Sequence, residues 1–560
     1  MKFFEILSCL CVLITSITNA VSDKPHIIVL VIDDLGWNDV GFHGSNEIPT
    51  PNIDALAYNG MILNRHYTQP TCTPSRAALM TGKYPIRLGM QGAPIGEGSP
   101  NALPLDEKLL PQHLKDLGYS TSLIGKWHLG YYKQECTPIS RGFDTHFGYY
   151  NGWIRYNDSV VFTTDGNVSG IDAWENNQHA GEKLRNKYNT DVFTDEAINI
   201  IKAHDTEKPL FLDLSFTAVH AIGNSRLQVR DFQQNEKQFG YIKDPDRRMF
   251  AGVLSAVDES VGKIIEALHE KSMLNNSIVL FIADNGGATE DSKGMFRNTA
   301  SNWPLRGWKT SVAEGGVRGV AAIWSTMIKK KNFVSQKIFH LTDWLPTFYA
   351  AGGGNVSHLG QIDGINQWDH LTGNAAHSPR KEVLLNIDEV KGDEAIIVGN
   401  WKLVKILKAP TEFGGSSGRE DEYNYNMSSV VATTTHKILN SYSNRTNEDT
   451  NKTTHHFWRI RNHAKIDKHC KNRINDTNNE NGPHAKCFQE GCLFRINEDH
   501  CEFKDLSKKR VEVVSKLRRK LVKYRKALVK QMTNIYDPNS DPKYFHNYWS
   551  PWISDLMKVE

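Results

Sequence analysis

The residues best suited to chemistry lie in the run CTPSRAALMTGKY, at positions 72–84. Pro74 suits the first turn of a helix, so Cys72 is predicted to lie at a helix N-terminus, where exposed N–H groups and the helix dipole favour an anion. A thiolate nucleophile would be favoured at the same position. Local chemistry leaves two interpretations open: Cys72 is a reactive cysteine, or it is a buried structural one.

Two pairs of oxygen-bearing side chains each follow an apolar run: Asp33 with Asp34, and Asp284 with Asn285. Carboxylate and amide oxygens are hard ligands suited to Ca²⁺ or Mg²⁺. Either pair alone is often just a solvated turn. Together they predict a divalent-cation site, provided that the fold brings them to one place.

Four basic or titratable residues are further candidates. Lys126 and His128 are two positions apart, so on an extended segment they face the same side, and one can bind charge while the other moves a proton. His220 follows a predicted strand, and Lys309 lies in the run PLRGWK. Taken singly, His220 and Lys309 are more typical of surface or core residues than of catalytic ones.

Four apolar runs predict the strands that must position these groups. They lack polar alternation and each precedes a plausible helix, as buried parallel strands do. The runs are 26–32, 120–124, 210–216 and 277–283. Ligands of open α/β sheets bind beyond the carboxyl ends of the strands, so we expect the candidate residues to converge there. Helices are predicted, from apolar residues at three- and four-residue spacing, at 109–117, 193–203 and 252–271.

These patterns predict an α/β fold in two parts. Residues 21–375 are expected to form a large domain, whose mostly parallel central sheet is flanked by helices. Residues 376–560 are expected to form a smaller α+β domain with an antiparallel sheet, because 395–407 alternates apolar and polar residues. The segment at about 409–489 is rich in Asn, Thr, Ser and charge, so we predict a long glycosylated surface excursion there.

The N-terminal residues 1–20 are typical of a secretory signal, with Lys2 followed by an apolar run and small residues near the end. A signal anchor is the alternative, although the run is shorter than the about 20 residues of a spanning helix. No other segment is apolar enough to predict a membrane span. The 66 basic and 63 acidic residues nearly balance, which gives no case for nucleic-acid binding. Export fits the eight Asn-x-Ser/Thr sequons, at Asn157, Asn167, Asn275, Asn355, Asn426, Asn444, Asn451 and Asn475.

Six cysteines lie beyond the predicted signal. Four of them are expected to form two disulfides in an oxidising compartment, and we predict Cys470 with Cys487 and Cys492 with Cys501. Four cysteines allow three pairings, so the other two remain open. Cys72 and Cys136 are left, and a bridge between them is the alternative to a reactive Cys72.

The run at 72–84 resembles the signature of the sulfatase family, C-x-P-S-R-x-x-L-x-x-G-[RK]-[YHF], at every fixed position. The run GKWHLG at 125–130 is similar to the second signature of that family. The similarity extends from about 24 to 371 and returns near 400–404 and 492–506. It implies an alkaline-phosphatase/sulfatase-like fold and a sulfuric ester hydrolase.

The resemblance also implies a modified residue and a metal. In that family a formylglycine-generating enzyme oxidises the signature cysteine during export, so Cys72 would become formylglycine and be unable to bridge Cys136. One Ca²⁺ would polarise a sulfate oxygen and lower the pKa of the aldehyde hydrate. The ligands that the resemblance assigns to it are Asp33, Asp34, modified Cys72, Asp284 and Asn285.

Roles for the remaining candidates follow from the resemblance and from the charge of a sulfate monoester. Arg76, Lys126 and Lys309, together with Ca²⁺, would bind the charge around sulfur while a hydroxyl of the hydrated formylglycine attacks. His220, with Lys309, would protonate the leaving oxygen. His128 would then take a proton from the remaining hydroxyl and so expel sulfate.

Within the family the chain resembles the arylsulfatase B type, whose members are N-acetylgalactosamine-4-sulfatases of glycosaminoglycans. The supporting runs are YTQP at 67–70, PLDEKLLP at 104–111, RGFD at 141–144 and EGGVRG at 314–319. The chain departs from the family at Trp308, where members often carry Arg, and at 97–102, where a cysteine able to pair with Cys136 is missing. We therefore expect a lysosomal or extracellular enzyme acting on a sulfated glycan or aryl sulfate. The alternatives are a sulfatase of another glycan or aryl specificity, a phosphatase of the related superfamily and a non-catalytic glycan-binding relative.

Overall fold

The computed structural model describes residues 24–223, 227–289, 297–407, 415, 423–443, 450–466 and 483–553. Its strands, in chain order, are β1 His26–Ile32, β2 Met61–Tyr67, β3 Ser120–Lys126, β4 Thr145–Tyr149, β5 Val160–Phe162, β6 Ser169–Ile171, β7 Trp174–Glu175, β8 Gln178–His179, β9 Leu210–Ser215, β10 Ser277–Ala283, β11 Ala321–Ser325, β12 Phe333–His340, β13 Glu382–Ile387, β14 Glu394–Val398, β15 Trp401–Lys405 and β16 Cys492–Arg495.

The α-helices are α1 Pro51–Asn59, α2 Cys72–Thr81, α3 Leu110–Lys115, α4 Gly181–Leu184, α5 Asn189–Ala203, α6 Phe232–Phe239, α7 Pro245–Glu270, α8 Glu314–Val317, α9 Trp344–Ala351, α10 Trp368–Leu371, α11 Met427–Ala432, α12 Thr434–Ser441, α13 Thr450–Ala464, α14 Pro483–Glu490 and α15 Val511–Arg525. None of those formed by the described residues is long and apolar enough to cross a membrane.

A ten-stranded sheet forms the centre of the molecule, in the order β12-β2-β11-β10-β1-β9-β3-β4-β7-β8. The strands from β10 to β4 run parallel, while β11, β7 and β8 pair antiparallel with their neighbours. The four predicted strands are β1, β3, β9 and β10, which lie side by side and are buried almost throughout. The predicted large, mostly parallel sheet is therefore confirmed, and the carboxyl ends of its four central strands share one edge.

A second, antiparallel sheet contains β13, β14, β15 and β16 in that order, which confirms the predicted smaller sheet. One of its faces packs against α15 through Leu403 and Leu517, which belong to one buried cluster. The other face packs against the region around α8, where Val404 and Val317 share another cluster. The small sheet is thus held between a C-terminal helix and the body of the large sheet.

The segment at 409–489 differs from the irregular excursion that its composition indicates. Its described residues include the helices α11, α12 and α13, and the side chains of Val430, Leu439 and Phe457 are buried against the main core. Only a few apolar residues anchor these helices, so a prediction from amino-acid composition misses them. Of the eight sequons, Asn444 and Asn475 lie outside the described residues. Asn157 is partly exposed, and five are exposed: Asn167, Asn275, Asn355, Asn426 and Asn451.

The predicted disulfide pairing is wrong, because Cys487 pairs with Cys492, with Cα atoms 5.2 Å apart. The N–H of Gly491 donates to the carbonyl of Cys487 over 2.7 Å, and this turn after α14 brings the two sulfurs together. Cys501 is also disulfide-bonded, whereas Cys470 lies outside the described residues. Cys72 and Cys136 are both free and buried, so the alternative bridge between them is absent.

Candidate active site

The two predicted oxygen-bearing pairs meet at the carboxyl edge of the large sheet. Strands β1 and β10 pair in parallel with Ile32 beside Ala283, so the residues that follow them lie side by side. The amide of Asn285 donates to Asp34 Oδ1 over 2.8 Å, and the N–H of Asp34 lies 3.3 Å from Asp284 Oδ1. Asp34 adopts φ 61°, a left-handed conformation that is uncommon outside glycine and typical of functional turns.

Cys72 is the first residue of α2 and is buried beside these pairs. Its Sγ, one carboxylate oxygen each of Asp33 and Asp34, and a ring nitrogen of His220 all lie within 4.8 Å of one another. Thr73 fixes the start of the helix, because its hydroxyl donates to the carbonyl of His128 over 3.1 Å and accepts the N–H of Ile95 over 3.1 Å. The helix thereby presents Cys72 to the acidic strand ends.

Each carboxylate at the site is paired with a cation that comes from another part of the chain. Lys126, the last residue of β3, places Nζ 2.5 Å from Asp33. Lys309 places Nζ 2.7 Å from Asp34. The third pair is Arg76 and Asp284, at 3.1 Å. Three carboxylates thus face three cations, and all six side chains are buried or nearly so.

Lys309 reaches the site from a loop that is anchored to the rest of the edge. Its N–H donates to the carbonyl of Gly287 over 3.0 Å, just after the Asp284–Asn285 turn. The next residue, Thr310, donates its N–H to the carbonyl of Pro70 over 2.7 Å, just before α2. These backbone bonds join three segments that are distant in the sequence.

Two buried oxygens at the site, Asp33 Oδ1 and Asn285 Oδ1, have no hydrogen-bond partner. An unpartnered buried acceptor is costly unless something else satisfies it. Carboxylate and amide oxygens match the preference of Ca²⁺ or Mg²⁺, so the donor set fits a hard divalent cation. A ring nitrogen of His220 lies in the same cluster, although sequence reasoning left it outside the ligand set.

The two histidines carry their protons on different ring nitrogens. His128 Nε2 lies 2.9 Å from the carbonyl of Ile95, so Nε2 carries the hydrogen, and the buried Nδ1 keeps a free lone pair. His220 Nδ1 lies 2.5 Å from the carbonyl of Ala221, so Nδ1 is the donor there and Nε2 accepts from Lys309 Nζ over 3.1 Å. Burial lowers the pKa of His128 and of His220 well below the usual value, and the nearby lysines lower both further.

Burial raises the pKa of the Cys72 thiol to about 12, because desolvation outweighs the opposing effect of Lys126 and Lys309. The unmodified thiol is therefore protonated at neutral pH. Burial thus opposes the thiolate form that a helix N-terminus would otherwise favour. The burial of Cys72 fits either a structural cysteine or a residue that works only after modification.

A cavity of about 280 Å³ opens above Cys72. His128, His220 and Lys309 also line it. Its remaining walls come from loops and include residues that sequence reasoning missed or did not place: Glu97, Trp153, Thr164 and Trp308. Glu97 and Trp153 lie in irregular segments outside the predicted strands and the family signatures, so no local signal marks them as site residues. Such a cavity accommodates one sugar ring or one aryl group.

Known proteins resemble this chain over most of its length. Residues 25–354 match the family model described as Sulfatase. Mouse (Mus musculus) arylsulfatase J is 34% identical over 559 residues, which cover 96% of this chain and 82% of that protein. Human N-acetylgalactosamine-6-sulfatase is 30% identical over 357 residues, or 61% of this chain and 65% of that protein.

Solved structures agree with these matches. The crystal structure of Ps i-CgsB superposes with a TM-score of 0.67 at 26% identity, over 94% of this chain and 97% of that one. Its complex with k-i-k-neocarrahexaose superposes with a TM-score of 0.68. The family model, the relatives and the fold concur. The chain belongs to the sulfatase family and is a sulfuric ester hydrolase.

Proposed function

We propose that the chain removes sulfate from sulfated N-acetylgalactosamine of glycosaminoglycans, with Cys72 converted to formylglycine. The observation that carries this proposal is the position of Cys72, at the floor of the cavity and among the paired carboxylates and cations. A relative named N-acetylgalactosamine-6-sulfatase supports the sugar class. The runs shared with the arylsulfatase B type favour the 4-sulfate.

The charges at the site suit a sulfate monoester. The carboxylates of Asp33, Asp34 and Asp284 balance the charges of Arg76, Lys126 and Lys309, so a bound divalent cation leaves a net positive site for an anion. We propose that this cation is Ca²⁺ and that it is held by both oxygen-bearing pairs and residue 72. When present, the ion polarises a sulfate oxygen and formylglycine supplies, as its hydrate, the attacking hydroxyl.

The hydrogen bonds of Lys309, His220 and His128 indicate which residue donates and which accepts a proton during the reaction. Lys309 donates to His220, so the proton for the bridging oxygen comes from this pair, with Lys309 as the donor. His128 accepts a proton through Nδ1, since its Nε2 is engaged by Ile95. Lys126 and Arg76 bind the negative charge of the sulfate group.

The alternatives predict different sites. Phosphatases of the related superfamily use a Ser or Thr nucleophile and two zinc ions, whereas a cysteine stands at this position. A non-catalytic glycan-binding relative needs neither a proton donor nor a proton acceptor. The presence of both in the cavity that Cys72 lines favours catalysis.

The test is to express the chain with a formylglycine-generating enzyme and to follow residue 72 by mass spectrometry. We expect the aldehyde in the wild type, turnover of 4-nitrocatechol sulfate, and much less hydrolysis of p-nitrophenyl phosphate. Cys72→Ser is expected to release at most one equivalent of alcohol, because a sulfated serine cannot eliminate sulfate. Cys136→Ser, at the other free and buried cysteine, is the matched control and retains turnover. Steady multiple turnover by Cys72→Ser would refute the proposal.

Substrate choice needs a separate experiment. A panel of defined sulfated disaccharides is expected to show release of the 4-sulfate of terminal N-acetylgalactosamine. Release only from another sugar or position would replace this assignment and leave the sulfatase chemistry intact. The absence of turnover on every sulfate ester by aldehyde-bearing protein would instead support the non-catalytic alternative.

We further propose that the chain is an exported glycoprotein. Residues 1–20 lie outside the described residues, and their composition supports a signal peptide. The exposed sequons support glycosylation on the secretory route, to the lysosome or the cell exterior. The two sheets support a division into residues 21–375 and 376–560.

A further inference from the structure

The cavity lining carries charges of both signs. Among the described residues that line it, Lys309 is the cation near the floor and Glu97 is the one carboxylate. Glu97 lies on the loop that also supplies Ile95, the partner of His128. A sulfate ester that enters therefore meets both a cation and a carboxylate.

Glu97 is held in place by a tryptophan. Trp153 Nε1 donates to Glu97 Oε1 over 3.0 Å. Trp153 packs edge-on against Phe162, with ring centroids 4.7 Å apart, so the indole cannot turn freely. A carboxylate has about four lone-pair positions, so Glu97 retains the capacity to accept a hydrogen bond from a ligand.

The neighbouring walls suit a neutral ring. Trp153 and Trp308 present aromatic surface to the cavity, and Thr164 adds a hydroxyl. Aromatic side chains bind apolar ring faces, whereas the polar groups in a pocket determine the orientation of the ligand. Burial raises the pKa of Glu97, although the Trp153 hydrogen bond favours the charged form.

We propose that Glu97 is a specificity-determining residue, which accepts hydrogen bonds from neutral hydroxyl or acetamido N–H groups and rejects rings that carry a second anionic group. This inference rests on the proposed sulfatase function and adds to it the class of ring that enters. A second sulfate or a carboxylate on the reacting ring would lie beside the Glu97 carboxylate, and juxtaposed like charges strongly disfavour binding. The neutral donors of an N-acetylhexosamine meet an acceptor instead.

The experiment compares matched substrates that differ by one anionic group. The sugar pair is N-acetylgalactosamine 4-sulfate and its 4,6-disulfate, and the aryl pair is phenyl sulfate and 3-carboxyphenyl sulfate. In the wild type we expect kcat/KM to be at least about tenfold lower for the more anionic member of each pair. In Glu97→Gln this ratio is expected to move toward one by about tenfold.

Two further variants keep the result interpretable. Thr164→Lys adds a cation to the cavity lining and leaves Trp153 and Glu97 unchanged, so it is expected to shift the ratio in the same direction. Glu135→Gln removes an exposed carboxylate that does not line the cavity, so its ratio stays at the wild-type value. Melting temperatures identify any variant that fails to fold.

The two pairs separate failure of this inference from failure of the proposed function. If the aryl ratio shifts while no sulfated galactosamine is hydrolysed, Glu97 selects against anions and the sugar assignment is wrong. If neither ratio changes in Glu97→Gln while aryl sulfate is still hydrolysed, the role of Glu97 is overturned, whatever Thr164→Lys does.

Discussion

Replacing Lys402 by methionine is expected to destabilise the whole chain, because Lys402 is a fully buried cation between two buried carboxylates. Its Nζ lies 2.9 Å from Glu314 and 2.8 Å from Glu502. Glu314 also contacts Arg318, at 3.4 Å, so two carboxylates balance two cations. Removing one partner of a buried ion pair typically costs about 3–5 kcal/mol. Since β15 carries Lys402 and α8 carries Glu314, the substitution removes an ion pair between the small sheet and the body of the large sheet.

The measurement is the free energy of unfolding from urea titrations, followed by tryptophan fluorescence. Lys405→Met, a partly exposed lysine of the same strand, is the matched control and is expected to cost less than about 1 kcal/mol. Adding Glu502→Gln to Lys402→Met removes one uncompensated charge. The double variant is therefore expected to lose less stability than the two single variants lose together.

The pH dependence provides a further check. Burial already raises the pKa of Glu502, and the loss of Lys402 is expected to raise it further above the unfolded value of about 4.3. Such a group stabilises the fold at low pH and loses that contribution as pH rises, so the deficit of Lys402→Met relative to wild type is larger at pH 7 than at pH 5. A loss in the free energy of unfolding below about 1 kcal/mol at pH 7, or a loss that is independent of pH, would refute the claim that Lys402 stabilises the contact between the two sheets.

Burial and, to a smaller extent, His204 lower the pKa of His26 to about 4, so neutral His26 contributes stability above about pH 6.5 that is lost as pH falls toward 4. The shift corresponds to about 3 kcal/mol of folding stability. On acidification the melting temperature of His26→Asn is therefore expected to fall less than that of the wild type, and an equal fall in the two proteins would contradict this prediction. Asn534 contacts Pro94 and Gly96, which flank Ile95, so Asn534→Ala is expected to lower kcat by about tenfold with little change in KM. The proposed role of Asn534 is to hold Ile95, the hydrogen-bond partner of His128, in position. Asn539→Ala is the control, and a change confined to KM in Asn534→Ala would contradict this role. Chelation of divalent ions is expected to lower both activity and melting temperature, and Ca²⁺ restores both in the wild type but not in Asp34→Asn. A Ca²⁺-dependent melting temperature in that variant would exclude the site.

The sequence by itself was enough to predict the centre of the fold and the principal groups at the site. Buried parallel strands are continuous apolar runs, so β1, β3, β9 and β10 can be recognised locally. The two oxygen-bearing pairs and the candidates Lys126, His128 and His220 lie at or just after the ends of these strands, and the rule that ligands bind at the carboxyl edge needs no coordinates. The cysteine signature is contiguous and can therefore be read without a fold.

The short strands were harder to predict. Strands β7 and β8 have two residues each, and β12 has a register shift after Ser335. Such segments show no clear periodicity, because neighbouring strands rather than local preference determine their conformation. Helices α11 to α13 were missed for a related reason: α11 and α12 are short, all three contain many polar residues, and packing against the main core stabilises them.

Only the tertiary structure decided which side chains at the site pair with each other. The pairs Lys126–Asp33 and Lys309–Asp34 join residues 93 and 275 positions apart, and no local pattern specifies such a match. The ring nitrogen that keeps a lone pair in His128 depends on the carbonyl of Ile95, and the carboxylate of Glu97 enters the cavity from an irregular loop. Residue types and strand ends are properties of local sequence, whereas partners, protonation and cavity walls arise from contacts between distant segments that form only when the chain folds.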